Sequence, residues 1–404
     1  MKDSFKSVAA TEQSLNWENL IKREENLYSR SGDIRSEFAR DYTRILHCNA
    51  YRRLKHKTQV FFSPASDHVC TRIEHVNYVE SISNTIANYL GLNTELTKAI
   101  SIAHDLGHSP FGHKGEVVLN EIAKRDLGES FWHERNGLHF VDDIELLEDE
   151  DGNLKNLDLT YAVRDGIISH CGEIDENCVK PRSEYIDLAK EYTMPNHYNP
   201  YTWEGCVVKI SDKISYLGRD LEDAIHLKLL TKDNIEELKE ILNIKSEDTL
   251  NNPNIINELI IDLCNNSSIE KGLCFSEEKL NLMNKIKAFN YKNIYLHKRL
   301  DGSNEYFRVL INRIYNTLKG LYAESYEDIE NNFKEAEKFY PDTMLQFRKW
   351  LNKYWELTER QGTNLKNKIV YKYTEQDYCR AIIDFIAGMT DNFVINIYNE
   401  IISF

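Results

Sequence analysis

The sequence predicts an all-α protein, and two observations support that fold class. Only 7 prolines and 17 glycines occur in the 404 residues, so few positions interrupt a helix. Apolar residues also recur at helical spacing along most of the chain, which is typical of amphipathic helices. The exception is residues 140–165, where the acidic run 148–151 and the pair Asp151-Gly152 predict a short β-hairpin or a surface loop.

The clearest predicted helix covers residues 76–90, and Gly91 provides its stop. A second helix is expected to begin near Thr94 and to reach His104 and Asp105 in its last turns. Residues 204–230 have the same periodicity and predict a third helix. The apolar positions that define the first helix are Val76, Val79, Ile82, Ile86 and Leu90.

The second half of the chain is less uniform. Residues from about 240 to 280 are rich in asparagine, serine and acidic side chains, which predicts a boundary or a peripheral insertion. Residues 280–404 again have a helical pattern and contain many aromatic residues, such as Phe307 and Trp350. We expect these rings to fill a core or a subunit interface.

Composition limits the function classes. The formal net charge is −15 and the pI is about 5.4, so nucleic acid is not the expected partner. A small anionic substrate would need a metal ion or a local basic pocket. The eight cysteines include no CxxC pair, which predicts reduced thiols and a cytoplasmic protein. No apolar run is long enough for a signal peptide or a membrane span.

Residues 104–116 concentrate the groups that bind metals. Three histidines, an aspartate and a glutamate occur within these thirteen positions. Histidine with carboxylate suits Mn, Fe, Zn, Ni or Co, whereas carboxylate-rich oxygen sites suit Mg. A tight turn at residues 91–93 would make the first two helices antiparallel, which brings His75 beside His104 and Asp105. With Asp212 from the third helix, four ligands would leave coordination positions open for water and a substrate oxygen.

Other polar residues lie close to these ligands in the sequence. His108 is one turn beyond His104, and Ser109-Pro110 predicts that the helix ends there. His113 and Glu116 then fall in the next loop and turn, where they are available for proton transfer or phosphate contact. His133-Glu134 is a second histidine–acid pair, although His133 taken alone would be interpreted as a surface loop residue.

Four segments resemble the HD-domain superfamily and, within it, the bacterial dGTPase-like deoxynucleoside triphosphate triphosphohydrolases. The first is His104-Asp105-Leu106-Gly107-His108-Ser109-Pro110-Phe111-Gly112-His113. The second is residues 51–61 followed by Thr71-Arg72-Ile73-Glu74-His75. The third runs from Asp212 to Asp223, and the fourth is Ile386-Ala387-Gly388-Met389-Thr390-Asp391.

The resemblance implies a mainly helical HD-domain fold that hydrolyses dGTP or several dNTPs to deoxynucleoside and inorganic triphosphate. It implies that the metal ligands are His75, His104, Asp105 and Asp212. Arg72 and Lys213 resemble residues that hold the triphosphate, although many bacterial members carry an acidic residue at the position of Lys213. The acid/base and phosphate-orienting set would be His108, His113, Glu116 and His133.

The resemblance also implies how the sugar is recognised. Gln59 and Asp220 resemble the pair that hydrogen-bonds the 3′-hydroxyl, and Tyr216 resembles the ring that leaves no room for a 2′-hydroxyl. The expected cofactor is Mg or Mn, although Zn, Fe, Ni or Co would also suit the ligands. The expected partners are the dNTP substrate, a nucleotide activator and further copies of the chain in a homo-oligomer.

The expected organisation has three parts. Residues 1–235 form an N-terminal segment and the catalytic core, 236–282 a peripheral helical and loop insertion, and 283–404 a helical region that completes the pocket and the oligomer interface. Two alternatives stay open at this point. One is an HD phosphohydrolase of another nucleotide (cyclic nucleotide, alarmone or monophosphate), and the other is a nucleotide-sensing or nucleic-acid-binding regulator.

Overall fold

The computed structural model describes residues 2–28, 32–62, 68–171, 177–244, 252–356 and 364–403. Helices dominate these ranges, which confirms the predicted all-α class. The first nine are α1 (Trp17–Leu20), α2 (Glu37–His47), α3 (Asn49–Arg53), α4 (Arg72–Leu90), α5 (Thr94–Ala103), α6 (Gly112–Asp126), α7 (His133–His139), α8 (Tyr161–Ser169) and α9 (Leu188–Glu191). The others are α10 (Trp203–His226), α11 (Lys232–Leu242), α12 (Asn252–Asn266), α13 (Glu277–Asn290), α14 (Asp301–Lys319), α15 (Tyr326–Glu337), α16 (Pro341–Tyr354), α17 (Glu375–Ala387) and α18 (Asp391–Ile402).

A small antiparallel hairpin lies where the acidic run predicts it. Strand β1 (Leu146–Glu148) pairs with β2 (Leu154–Asn156), and Leu146 lies opposite Asn156. Asp149 stabilises the turn, because its Oδ1 accepts a hydrogen bond of 2.8 Å from the backbone N–H of Asn153. The acidic residues therefore belong to the turn of a hairpin.

Three packed helices form the framework of the candidate site. Helix α4 starts four residues earlier than its apolar pattern predicts, because the Glu74 carboxylate accepts a hydrogen bond from the Thr71 backbone N–H at the start of the helix. It ends at Gly91, whose φ of 82° is left-handed. Asn93 then caps α5. Helix α4 packs against both α5 and α10. The start of α4 therefore lies beside the end of α5, as predicted.

The second half of the chain packs on this framework. Helices α12 and α13 contact α10, and Leu263 and Met283 are fully buried in the same apolar cluster as Ile214. Helix α14 packs against α6, α17 and α18. Phe307 and Tyr315 of α14 are buried, which confirms that they fill a core. The division into three parts stays a prediction.

One prediction from composition is wrong. Cys178 and Cys274 form a disulfide across 96 residues, whereas the absence of a CxxC pair predicts reduced thiols. Antiparallel pairing of Val179 with Leu273 brings the two cysteines together. The other six cysteines form no disulfide, as expected. Among the described helices, none combines the length and the apolar character that crossing a bilayer requires.

Candidate active site

The four predicted metal ligands converge in the interior of the protein. His75 Nε2 lies 2.9 Å from Asp212 Oδ1 and 3.8 Å from Asp105 Oδ2. His104 Nε2 lies 3.5 Å from Asp105 Oδ1 and 3.9 Å from Asp212 Oδ1. His75, His104 and Asp105 are buried, and Asp212 is half-buried. Donor atoms of two imidazoles and two carboxylates therefore face one small volume.

Local structure orients both imidazoles toward that volume. His104 follows the last turn of α5, and its Nδ1 lies 2.6 Å from the Ser101 carbonyl oxygen to which it donates. This contact leaves Nε2 as an acceptor, and no partner for that buried atom exists among the described residues. His75 Nδ1 lies 3.5 Å from Ser215 Oγ of α10, so its Nε2 also faces the carboxylates.

A divalent metal ion fits these residues. A buried acceptor nitrogen without a partner is unfavourable, and a coordinated cation would satisfy it. Hydrogen-bonded Nδ1 groups are the usual means by which proteins fix the orientation of a histidine ligand. The donor atoms of His75, His104 and Asp212 all lie within 4.8 Å of one another, which is compatible with a shared ion.

Arg72 holds one of these carboxylates in place. Its Nη1 donates to Asp105 Oδ2 at 2.7 Å, and both side chains are buried. The other two guanidinium nitrogens also donate, Nε to the Thr58 carbonyl at 3.2 Å and Nη2 to the Gln59 carbonyl at 3.0 Å. Arg72 therefore links Asp105 to the segment that contains Gln59. The predicted contact of Arg72 with a triphosphate stays a prediction.

The four predicted acid/base residues form a second cluster beside Asp105. Glu116 Oε2 lies 3.1 Å from His133 Nδ1 and 3.3 Å from His113 Nδ1. His108 Nδ1 lies 3.0 Å from Asp105 Oδ1, and the rings of His108 and His133 are 3.9 Å apart. Asp105 thus belongs to the metal-ligand cluster and contacts the acid/base cluster. His113 is the exposed residue of the acid/base cluster.

The environment sets these groups to different protonation states. Burial opposes a charge on His133, but the carboxylates of Glu134 and Glu116 outweigh it and raise the pKa of His133 to about 10. Burial also opposes the charge on Glu116, yet His133 and His113 keep the pKa of its carboxyl well below the usual range. Burial, reinforced by Arg72, lowers the pKa of His108 well below its usual value. At neutral pH the cluster holds a protonated His133, an ionised Glu116 and a neutral His108.

The residues predicted to recognise the sugar lie on neighbouring elements. Gln59 is buried, and its Oε1 has no partner among the described residues. Tyr216 and Asp220 follow Asp212 at intervals of four on α10, so the three share one face of that helix. Asp220 Oδ2 accepts a hydrogen bond of 2.5 Å from the Tyr295 hydroxyl. Burial raises the pKa of the Asp220 carboxyl to about 6.

Lys213 is next to Asp212 in sequence but borders a different space. It is buried and lines a cavity together with Lys209, Cys178, Leu273 and other residues. Its predicted role at the triphosphate stays a prediction.

Sequence reasoning missed His170, which follows the last residue of α8. Its Nδ1 lies 2.7 Å from the Ile167 carbonyl oxygen, and its ring is 4.9 Å from that of His104 and 5.4 Å from that of His133. Burial lowers the pKa of His170 to about 4, so this imidazole is neutral. The available signal was a histidine at the end of an otherwise apolar helix, which is weak by itself.

Comparison with known proteins agrees with this geometry. The HD domain matches residues 72–217, and a phosphohydrolase-associated domain matches residues 343–400. A deoxyguanosinetriphosphate triphosphohydrolase-like protein of Caldanaerobacter subterraneus subsp. tengcongensis is 32% identical over 370 residues, which cover 91% of this chain and 86% of the relative. A protein of the same description from Rickettsia bellii is 32% identical over 386 residues, covering 91% and 92%.

A third such relative, from Desulfatibacillum aliphaticivorans, is 32% identical over 374 residues, covering 91% of this chain and 88% of the relative. The HD match contains all four predicted metal ligands and both clusters around Asp105. The associated domain contains the segment 386–391. The chain therefore belongs to the HD-domain phosphohydrolases and, among them, to the family of deoxyguanosinetriphosphate triphosphohydrolase-like proteins.

Proposed function

We propose that this protein hydrolyses deoxynucleoside triphosphates, dGTP or several dNTPs, to deoxynucleoside and inorganic triphosphate in a metal-dependent reaction. The observation that carries the proposal is the position of Asp105. Its Oδ2, the oxygen nearer to His75, lies 2.7 Å from Arg72 Nη1. Its Oδ1 lies 3.0 Å from His108 Nδ1. A metal-binding cluster and a proton-transfer cluster therefore meet at one carboxylate. The name that the relatives carry suggests the substrate class.

In this proposal His75, His104, Asp105 and Asp212 would hold the divalent ion, with Mg or Mn as the expected metal. When bound, such an ion supplies Lewis-acid polarisation of a phosphoryl oxygen and makes a water molecule more acidic. Arg72 orients the Asp105 carboxylate, because it donates to Oδ2 from a buried position. This contact would hold Asp105 in place before an ion binds.

The acid/base cluster would move the protons. A water molecule attacks the α-phosphorus, and the bond between phosphorus and the 5′-oxygen of the sugar breaks. Glu116, ionised and in contact with both His113 and His133, is suited to accept the proton of the water. His113 would give a proton to the departing 5′-oxygen. Protonated His133 would offset charge on the phosphates, because Glu134 and Glu116 keep it charged.

The α10 face would select the sugar. Gln59 Oε1, buried without a partner among the described residues, is suited to accept a hydrogen bond from a 3′-hydroxyl. Asp220 of α10 and the Tyr295 hydroxyl, which are hydrogen-bonded to each other, offer further polar atoms. Tyr216 would pack against the sugar, so that a 2′-hydroxyl would clash or lose its partners.

The test is a product assay with a matched pair of variants. The protein is incubated with each dNTP and each NTP in Mg²⁺ and in Mn²⁺, and the products are resolved by anion-exchange chromatography. We expect deoxynucleoside and intact triphosphate from dNTPs. Activity in a dNTP mixture but not with single nucleotides would show that an activator is required. Monophosphate or diphosphate products, or no turnover of any dNTP, would refute the proposed reaction.

Two variants on helix α6 distinguish a residue of the site from a surface residue of the same helix. Glu116→Gln should lower kcat by at least about 100-fold, the usual contribution of a general base. Glu121→Gln is the control, because Glu121 is an exposed acid on the same helix α6 and pairs with Arg308 on the surface. It should leave kcat unchanged. Equal activity of the two variants would remove Glu116 from the mechanism.

A further inference from the structure

The segment that connects α17 to α18 has no part in the mechanism above, although it resembles the family. Ala387 ends α17, Thr390 caps α18, and Asp391 is the first residue of α18. Asp391 is only 4% exposed. A buried carboxylate requires hydrogen-bond donors, so its partners indicate what it does.

Among the described residues, the Asp391 carboxylate accepts hydrogen bonds from two segments beside the metal cluster. Its Oδ1 accepts a bond of 2.8 Å from the backbone N–H of Phe111, in the loop between His108 and His113. Its Oδ2 accepts from the backbone N–H of Thr58 at 2.8 Å and from the Thr58 hydroxyl at 2.5 Å. One carboxylate therefore joins the loop to the segment that contains Gln59.

Lys57 makes a parallel connection. It is 3% exposed, and its Nζ donates to the carbonyl oxygens of His108 and Ala387, the latter at 2.9 Å. The His108 backbone is thus connected to the end of α17 through the Lys57 amine. Together Asp391 and Lys57 fix the loop at two points, three residues apart.

The loop has a conformation that needs such support. Phe111 has a φ of 62°, in the left-handed region that non-glycine residues rarely adopt, and Gly112 follows with a φ of 59°. The Phe111 ring stacks on Phe307 of α14, with ring centres 4.1 Å apart. A Cβ at Gly112 would lie 3.1 Å from Arg72 Nη2, so the loop presses against the arginine that holds Asp105.

We propose that Asp391 is a positioning residue of this site. By accepting hydrogen bonds from Phe111 and Thr58, it fixes the loop that carries His108 and His113 relative to Arg72 and Asp105. The C-terminal phosphohydrolase-associated region is then part of the framework of the site. The catalytic consequence rests on the proposed function, whereas the ordering of the loop does not.

The main variant is Asp391→Asn. An asparagine keeps one acceptor oxygen, but its NH₂ group must face either the Phe111 or the Thr58 backbone N–H. We expect kcat to fall about 100-fold, the cost of a misplaced catalytic group, with the content of bound metal unchanged. Amide hydrogen exchange in the peptide that covers 108–113 should become about tenfold faster or more, because a bond to a charged acceptor is lost.

The matched control is Asp384→Asn. Asp384 is equally buried, seven residues earlier, but it lies 3.0 Å from His139 Nε2 and accepts from the Tyr371 hydroxyl at 2.8 Å. This variant should lose thermal stability, with exchange in the loop and kcat per folded molecule as in the wild type. Wild-type exchange and kcat in Asp391→Asn, or equal losses in both variants, would overturn the proposal.

A milder pair covers the case in which Asp391→Asn does not fold. Thr58→Val removes the hydroxyl that donates to Asp391, whereas Thr58→Ser keeps it. The valine variant should show faster loop exchange and a lower kcat, and the serine variant should restore both. Equal behaviour of the two would count against positioning by Asp391. Faster exchange in a protein that turns over no dNTP would uphold the positioning role and refute only the proposed reaction.

Discussion

Replacement of Arg72 by methionine tests how charge is balanced at the metal cluster. Arg72 and Asp105 form a buried pair with a separation of 2.7 Å. Removing one partner of such a pair leaves an uncompensated charge and costs about 3–5 kcal/mol. The carbonyls of Thr58 and Gln59 also lose a donor. At about 2 °C per kcal/mol, the metal-free variant should melt about 6–10 °C below the metal-free wild type.

The metal-loaded proteins should differ less. A divalent cation beside Asp105 provides the countercharge that Arg72 otherwise supplies, so part of the penalty disappears when the ion binds. We therefore expect Mn²⁺ to raise the Tm of Arg72→Met by more than it raises the Tm of the wild type. The assay is differential scanning calorimetry in EDTA and in Mn²⁺, with metal content measured on the same samples.

Arg182→Met is the control for this experiment. Arg182 and Asp165 form a comparably buried pair with a separation of 2.6 Å, and neither residue belongs to the groups of candidate metal donors among the described residues. Its loss should lower Tm equally in EDTA and in Mn²⁺. If the loss of Tm in Arg72→Met were also equal in EDTA and in Mn²⁺, Arg72 and the ion would not be balancing the same charge on Asp105.

Three further predictions concern the substrate and pH. Tyr216→Ala should relax discrimination against NTPs, seen as a smaller ratio of kcat/KM for a dNTP over its NTP; an unchanged ratio would move that role elsewhere. Burial opposes a charge on His139, but Asp384 and Asp143 outweigh it and raise the pKa of His139 to about 10. The contribution of His139 to the stability of the folded protein is therefore complete below about pH 6.5 and is lost as pH rises toward 10. Calorimetry should show a smaller alkaline loss of Tm in His139→Gln. EDTA should weaken dNTP binding at least about tenfold in equilibrium dialysis; unchanged binding would assign the triphosphate to protein cations such as Lys213.

Much of the framework could be predicted because its signals are local. The apolar repeat and Gly91 determine α4, and the short connection to Thr94 places α5 antiparallel to it. Once these helices are antiparallel, His75 must approach His104. The hairpin was also predictable, since the Asp149 side chain bonds the backbone four residues later.

The remaining features depend on contacts between distant residues. Phe111 and Asp391 are 280 positions apart, and the two cysteines of the disulfide are 96 apart. No periodicity connects such pairs. The contact between Arg72 and Asp105 was equally hidden, because the two residues are 33 positions apart and no repeat in the sequence pairs them.

The charges of the described site residues bear on how an acidic protein would bind the anionic substrate proposed for it. The formal net charge is −15, and Arg72 is matched by Asp105 while His133 is matched by Glu116 and Glu134. These cations therefore offer little net attraction to a triphosphate. In the proposed reaction the excess positive charge would come from the divalent ion, which would meet two carboxylates that Arg72 only partly neutralises. We therefore expect the ion to be needed for substrate binding as well as for the chemical step.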